Sequence, residues 1–302
     1  MSRLPSHDRS LFRFRALSPV AFVLVLLLSA FLGACAGGDS DSTPSDEEHL
    51  DAMTEEHAQD DPEPSPAASL EPASPVVTER VVYGTVGDAE VTGYLAKPET
   101  GAEGAPGILV IQEWWGLNEN IEAMARRLAG EGYVALAVDL YGEVAEDRDR
   151  ARELMQAAME APEDLEANLR AGYAYLESLG APKIGSIGWC FGGGMSLRTA
   201  LLHPEDLDGA VIYYGRLVTE TTELEPLQMP VLGIFGSEDQ GIPLDMVAAF
   251  EGGMKELGKD VRIEIYEGAD HAFANPSGNR YDAEAAEDAW AKTVAFFAET
   301  LR

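Results

Sequence analysis

Cysteine is nearly missing from this chain: its 302 residues hold two, Cys35 and Cys190. That excludes a disulfide framework. Positive charge is scarce as well, with 21 Lys and Arg against 53 Asp and Glu and a formal net charge of −32. No basic stripe is available to meet a phosphate backbone, so a nucleic-acid partner is excluded. The chain has no G-x-G-x-x-G in register and no G-K-[ST], so nothing cradles a nucleotide phosphate. The five histidines and two cysteines show no metal-site spacing, so neither a metal nor another cofactor is expected. No repeat occurs, and the one long apolar run, residues 20–32, is shorter than the ~20 residues a membrane-crossing helix needs.

What is present begins with a basic start, Arg3, Arg9, Arg13 and Arg15, ahead of that short apolar run. The pairing reads as an export signal over residues 1–34. It ends in Leu32-Gly33-Ala34-Cys35, which resembles the lipobox of bacterial lipoproteins. The resemblance implies cleavage before Cys35, lipidation of its thiol, and an exported protein tethered to a membrane of the cell envelope. Labelled palmitate should then enter the wild-type protein and not Cys35→Ala; label in the variant would overturn the reading.

Residues 35–75 are rich in Ser, Pro, Ala, Asp and Glu, and the span from Asp39 to Glu71 carries twelve acidic residues and no Lys or Arg. Such a segment has too little apolar surface to fold and is expected to be a disordered, self-repelling linker. His49 and His57 fall in it and are expected to face solvent with no ligand role. The folded domain is expected over residues 76–302, as a monomer, and it too is acidic, which suits solubility.

Across that domain strand and helix patterns alternate. Residues 80–86 and 90–96 read as a hairpin about Gly87-Asp88. Residues 107–112, 134–138, 183–187, 209–213, 231–235 and 261–265 read as further strands, the apolar runs among them suited to burial on both faces. Helices are expected over 118–128 behind an Asn118 cap, and over 143–160, 162–179, 195–202, 243–257 and 283–301. This is an α/β pattern with a mostly parallel sheet and helices on both faces. Function in such sheets sits at the carboxyl ends of the strands.

The stretch around which the domain is organised is Gly188-Trp189-Cys190-Phe191-Gly192, between a buried strand and a helix. It has the form of a nucleophile elbow with Cys where Ser often stands. Its glycines leave room for a strained backbone, and the helix that follows favours a thiolate through its free N–H groups and dipole. A thiol nucleophile needs a base. His203 lies thirteen residues further along that helix, roughly 20 Å away at ~1.5 Å per residue, which leaves His271, in the loop after the last strand. A carboxylate to orient the imidazole is offered by Glu238 or Asp239, after the strand before it.

These residues carry a resemblance. Gln112-Glu113-Trp114-Trp115-Gly116, Asp139-Leu140-Tyr141, Gly188-Trp189-Cys190-Phe191-Gly192-Gly193, Tyr213-Tyr214-Gly215, Gly236-Ser237-Glu238-Asp239 and Gly268-Ala269-Asp270-His271-Ala272-Phe273 together resemble the dienelactone hydrolase family, a Cys-using branch of the α/β-hydrolase fold. The resemblance implies a triad of Cys190, Asp239 and His271, and a Glu113 that bonds the resting thiol and takes its proton when substrate arrives. It also implies an oxyanion hole from the backbone N–H groups of Phe191 and Trp114. Trp115, Tyr141, Tyr214 and Phe273 are candidate pocket walls. The implied activity is hydrolysis of a carboxylic ester or lactone through an acyl-Cys190 intermediate. Family arginines bind a substrate carboxylate; here one such place is Asn275 and the other falls near residues 148–152, which favours an ester or lactone other than dienelactone. The alternative is a non-catalytic surface lipoprotein that binds a small molecule on the same fold. An esterase acting on polysaccharide acetyl groups is a further enzymatic option.

Overall fold

One helix precedes eight strands, and the strands make one sheet. The structure, a computed structural model, describes residues 46–58 and 70–302. The expectations for the signal segment and for Cys35 lie outside the described residues. Among the described residues, no helix is long and apolar enough to cross a membrane.

The elements run α1 (Asp46–Glu56), β1 (Val76–Val86), β2 (Ala89–Pro98), β3 (Gly107–Ile111), α2 (Glu119–Gly130), β4 (Val134–Val138), α3 (Arg148–Glu160), α4 (Pro162–Ser178), β5 (Ile184–Trp189), α5 (Phe191–Leu202), β6 (Gly209–Tyr213), α6 (Thr221–Leu224), β7 (Val231–Gly236), α7 (Leu244–Glu256), β8 (Val261–Tyr266) and α8 (Ala283–Leu301). The spatial strand order is β1-β2-β4-β3-β5-β6-β7-β8. β1 and β2 pair antiparallel, as do β2 and β4, and every pairing from β4 to β8 is parallel. The five strands from β3 to β7 are buried along their whole length, because helices cover both of their faces. Their side chains divide into two apolar layers, one on each face.

The chain reverses direction across the sheet at β3, which has β4 on one side and β5 on the other. That is the crevice where doubly wound sheets place their sites. The loops that leave β3 and β5 at this crevice carry Glu113 and Cys190.

Two readings of the sequence need correction here. The first concerns the start of α3. Residues 143–147 are not helical; α3 begins at Arg148, where Asp147 caps it by accepting from Arg150 N at 2.8 Å. The cause is the loop after β3. Ala145 N donates to Trp115 O at 2.9 Å, and a Cβ on Gly116 would sit 2.4 Å from Glu143 O, so this stretch is pressed flat against the loop. The second concerns the acidic linker, which contains α1. Leu50, Met53 and His57, spaced i, i+3, i+7, form a buried stripe against the domain. Arg152 holds the helix from outside: it donates to Leu50 O at 3.2 Å and Thr54 Oγ1 at 2.6 Å, and pairs with Asp51 at 2.6 Å. Arg280 pairs with Glu56 at 2.6 Å.

Candidate active site

Cys190 joins β5 to α5 with φ 55° and ψ −120°, a backbone state that L residues rarely adopt. The flanking glycines make the turn possible. A Cβ on Gly188 would lie 2.0 Å from Gly192 O, and one on Gly192 would lie 2.4 Å from Gln112 O and 2.5 Å from Ile111 O. No side chain fits at either place. The close approach of Gly192 to the end of β3 also brings the Glu113–Trp114 loop beside the sulfur. Two other non-glycine residues have positive φ, Tyr214 at 35° and Ala272 at 58°, and both flank the same crevice.

The base and its carboxylate meet as the sequence order requires. Asp239, after β7, accepts from His271 Nδ1, after β8, at 2.8 Å, and both side chains are fully buried. Asp239 Oδ1 also accepts from Ile242 N at 2.8 Å, which fixes the carboxylate. Burial alone would raise the Asp239 pKa, but the His271 imidazole outweighs it and holds the carboxyl below its ordinary value. Burial would lower His271; Asp239, then Cys190, overcome it and raise the imidazole well above its ordinary range. The ionised Asp239 fixes Nδ1 as the donor, so Nε2 is the nitrogen turned inward, buried and without a hydrogen bond. His203 stands elsewhere, stacked on Tyr173 with ring centroids 4.0 Å apart at the end of α5.

The sulfur has a neighbour the sequence did not predict. His57 Nε2 lies 3.3 Å from Cys190 Sγ, and the His57 ring stacks on Trp114 at 4.4 Å. Met53 Sδ lies 3.8 Å from the same sulfur. The expectation that His57 would be a solvent-facing linker residue is therefore wrong: it is 1% exposed. The signal available was the stripe Leu50, Met53, His57, which acidic neighbours obscured. Burial pushes the Cys190 thiol up, but the imidazoles of His57 and then His271 outweigh it and bring the pKa down to about 6. Only the thiolate alkylates, so the rate of iodoacetamide labelling should rise as pH increases through about 6 and level off above it. In His57→Ala the midpoint should move upward; an unchanged midpoint would remove His57 from the account.

Glu113 is 2% exposed, and its Oε2 accepts from Asn275 Nδ2 at 2.8 Å. Asn275 is itself fixed, its Oδ1 accepting from Ser277 N at 2.9 Å and Asn120 Nδ2 at 3.3 Å. The residue that marks a missing arginine in the sequence thus positions the Glu113 carboxylate. The aromatic candidates divide in two. Tyr214 touches His271, with centroids 5.2 Å apart, and Tyr141 touches Phe191 at 5.7 Å. Trp115 and Phe273 stand one ring further out, against Trp114 at 4.9 Å and Tyr214 at 5.6 Å. Burial raises the phenols of Tyr141 and Tyr214 well above their ordinary values, so both stay protonated as donors. Phe191 is the first residue of α5, directly after Cys190, and Trp114 is the third residue after β3, its ring stacked on His57.

Together these groups bring a thiol, an imidazole and a carboxylate into one buried cluster. α1 and the turn after it lie against the sulfur, which Met53 Sδ and His57 Nε2 approach to 3.8 and 3.3 Å, and Cys190 is left 1% exposed. A cleft of about 660 Å³, lined by Ala52, Glu55, Glu56, Gln240, Asp270, Asn279 and Arg280, runs along the edge of the helix.

A model of the dienelactone hydrolase family matches residues 91–301. A Saccharolobus solfataricus protein that carries the provisional name carboxymethylenebutenolidase is 32% identical over 260 residues, covering 72% of this chain and 97% of its own length. Protein usf of Aquifex pyrophilus is 35% identical over 221 residues, covering 70% of this chain and 94% of its own. Among solved structures, a dienelactone hydrolase-like promiscuous phosphotriesterase from metagenomic libraries superposes with a TM-score of 0.69 at 25% identity, over 75% of this chain and 99% of that one.

Proposed function

The chain belongs to the dienelactone hydrolase family, and from that premise we propose that it hydrolyses a carboxylic ester or lactone through an acyl-enzyme on Cys190, with His271 as base and Asp239 orienting it. The observation that carries this reading is the buried Asp239–His271 pair, its free Nε2 turned toward a thiol of lowered pKa.

The proposed reaction runs in two stages. The Cys190 thiolate attacks the carbonyl carbon, a C–S bond forms, and the carbonyl oxygen becomes an oxyanion. The N–H groups of Phe191 and Trp114 would receive it, a contribution worth roughly 3–4 kcal/mol per donor in comparable sites. Collapse breaks the C–O bond, and the leaving alkoxide takes a proton from His271 Nε2. Water then gives a proton to the same nitrogen as it attacks the thioester, and the C–S bond breaks to return the thiolate. Asp239 keeps the imidazole in the tautomer this exchange needs. Glu113, buried beside the oxyanion loop and held by Asn275, takes the proton of any neutral thiol once substrate enters. Tyr214 and Tyr141 border the acyl group. Lipidation at Cys35 would place this chemistry at a membrane surface.

The test is to trap the intermediate. After brief mixing with a short activated ester and an acid quench, the intact protein should gain one acyl mass, on the peptide containing Cys190, and hydroxylamine should remove it. Turnover with no acyl mass on that peptide would reject the mechanism. No turnover of any ester or lactone in a broad panel, with probe bound, would favour the non-catalytic binding protein.

A further inference from the structure

α1 and the turn after it bring two donors, Met53 Sδ and a His57 nitrogen, to a place where the domain already has two, Cys190 and His271. Cys190 Sγ and one nitrogen each of His57 and His271 all lie within 4.8 Å of one another, and all three residues are buried. For His57 the near nitrogen is Nε2, 3.3 Å from the sulfur. For His271 it is Nε2, since Nδ1 is committed to Asp239, and that Nε2 is buried with no hydrogen bond. Met53 Sδ stands 3.8 Å from Sγ on the same side as His57.

Two imidazoles, a thiolate and a thioether form a donor set with a chemical preference. Thiolate and thioether are soft ligands that select copper, and a trigonal His-His-Cys arrangement with a distant Met suits that ion. A metal bonded to nitrogen at about 2.0 Å and sulfur at about 2.3 Å spans a nitrogen-to-sulfur edge near 3.5 Å. His57 and Cys190 already stand at almost that spacing. Asp239 behind His271 is the carboxylate that commonly orients a ligating imidazole and strengthens it as a donor. Charge also balances: once the imidazoles give up their protons, the thiolate and the Asp239 carboxylate compensate the cation in their place. The one opposing group is Arg280, whose Nη2 is 3.5 Å from His57 Nδ1, and Glu56 draws that guanidinium away at 2.6 Å.

We propose that Cys190, His57 and His271, with Met53 as a weak fourth donor, form a site for copper(I), and that the bound ion ties α1 across the pocket. The ion takes the place of the protons held among Cys190 Sγ, His57 Nε2 and His271 Nε2, which leave to solvent, and no electron is transferred. Because it occupies the sulfur lone pair and fixes α1, the loaded form does not turn over. This second part rests on the hydrolase reading above; the binding itself does not.

The measurement is therefore a competition that does not use activity. The full chain, kept anaerobic, is titrated against a coloured copper(I) chelate. Wild type should withdraw one equivalent of copper. His57→Ala should bind about 100-fold more weakly, in line with the loss of an imidazole ligand, and Met53→Leu, which keeps the volume, only about 3- to 10-fold more weakly. Equal affinity in wild type and His57→Ala, or no withdrawal by wild type, would overturn the proposal. Copper withdrawal by wild type in a protein that hydrolyses no ester would leave the metal site standing and reject the hydrolase reading alone.

Discussion

Replacing Met53 with aspartate should raise kcat/KM for a short activated ester by about 10- to 100-fold, because only the fraction of molecules with α1 displaced can take substrate. Met53 is 1% exposed and its sulfur lies 3.8 Å from Cys190 Sγ. Burial of a methionine side chain stabilises the docked helix by roughly 1.5–3 kcal/mol. A carboxylate in the same place loses that and also adds an unpaired buried charge, which costs several kcal/mol more. The two effects have the same sign, and about 1.4 kcal/mol is enough for each tenfold change in population. Arg152→Ala offers a second route that leaves the pocket lining intact. It removes the contacts to Leu50 O, Thr54 and Asp51, which are partly exposed, so the expected rise is smaller, about 3- to 10-fold. Steady-state rates of both variants, unchanged from wild type, would show that α1 does not limit access.

In the opposite direction, Cys190→Ala should abolish ester hydrolysis, and Asp239→Asn should reduce kcat by about 10³- to 10⁴-fold without unfolding the domain. The amide keeps the shape of the carboxylate but offers His271 Nδ1 a neutral partner, so the wrong nitrogen can carry the proton. The charge that holds His271 raised is lost at the same time, which lowers the imidazole and moves the pH profile. His203→Ala is the control: stacked on Tyr173 at the far end of α5, it should leave the rate as it is. A rate that falls with His203 and survives the loss of Cys190 would end the assignment.

The sequence was most legible where one residue type answers one local need. Asn118 was readable as a cap and accepts from Ile121 N at 3.2 Å. Gly188 and Gly192 were readable as an elbow because no other residue fits against Gly192 O or the end of β3. His271 was readable because its loop follows a strand of a parallel sheet, whose carboxyl ends share one side; position alone left Glu238 and Asp239 both open, and the family resemblance chose Asp239. Legibility failed where the cause was distant. The helical α1 owes its order to Arg152 and Arg280, some 100 and 220 residues away in sequence, and its own composition argues for disorder. Glu143 to Asp147 have helical character, but Gly116 and Trp115 hold them flat from another loop. Asn275 was visible as a departure from a family arginine; its bond to Glu113 was not, because the partner lies 162 positions back.

The position of Met53 over the sulfur has one more consequence. A thiolate that persists near neutrality is the form hydrogen peroxide attacks, and the product can proceed to acids that no thiol reduces. Here Cys190 is 1% exposed, with Met53 and His57 set against its sulfur. Ester and peroxide must wait for the same opening, so any change that quickens turnover by loosening the helix also lays the thiolate open to oxidation.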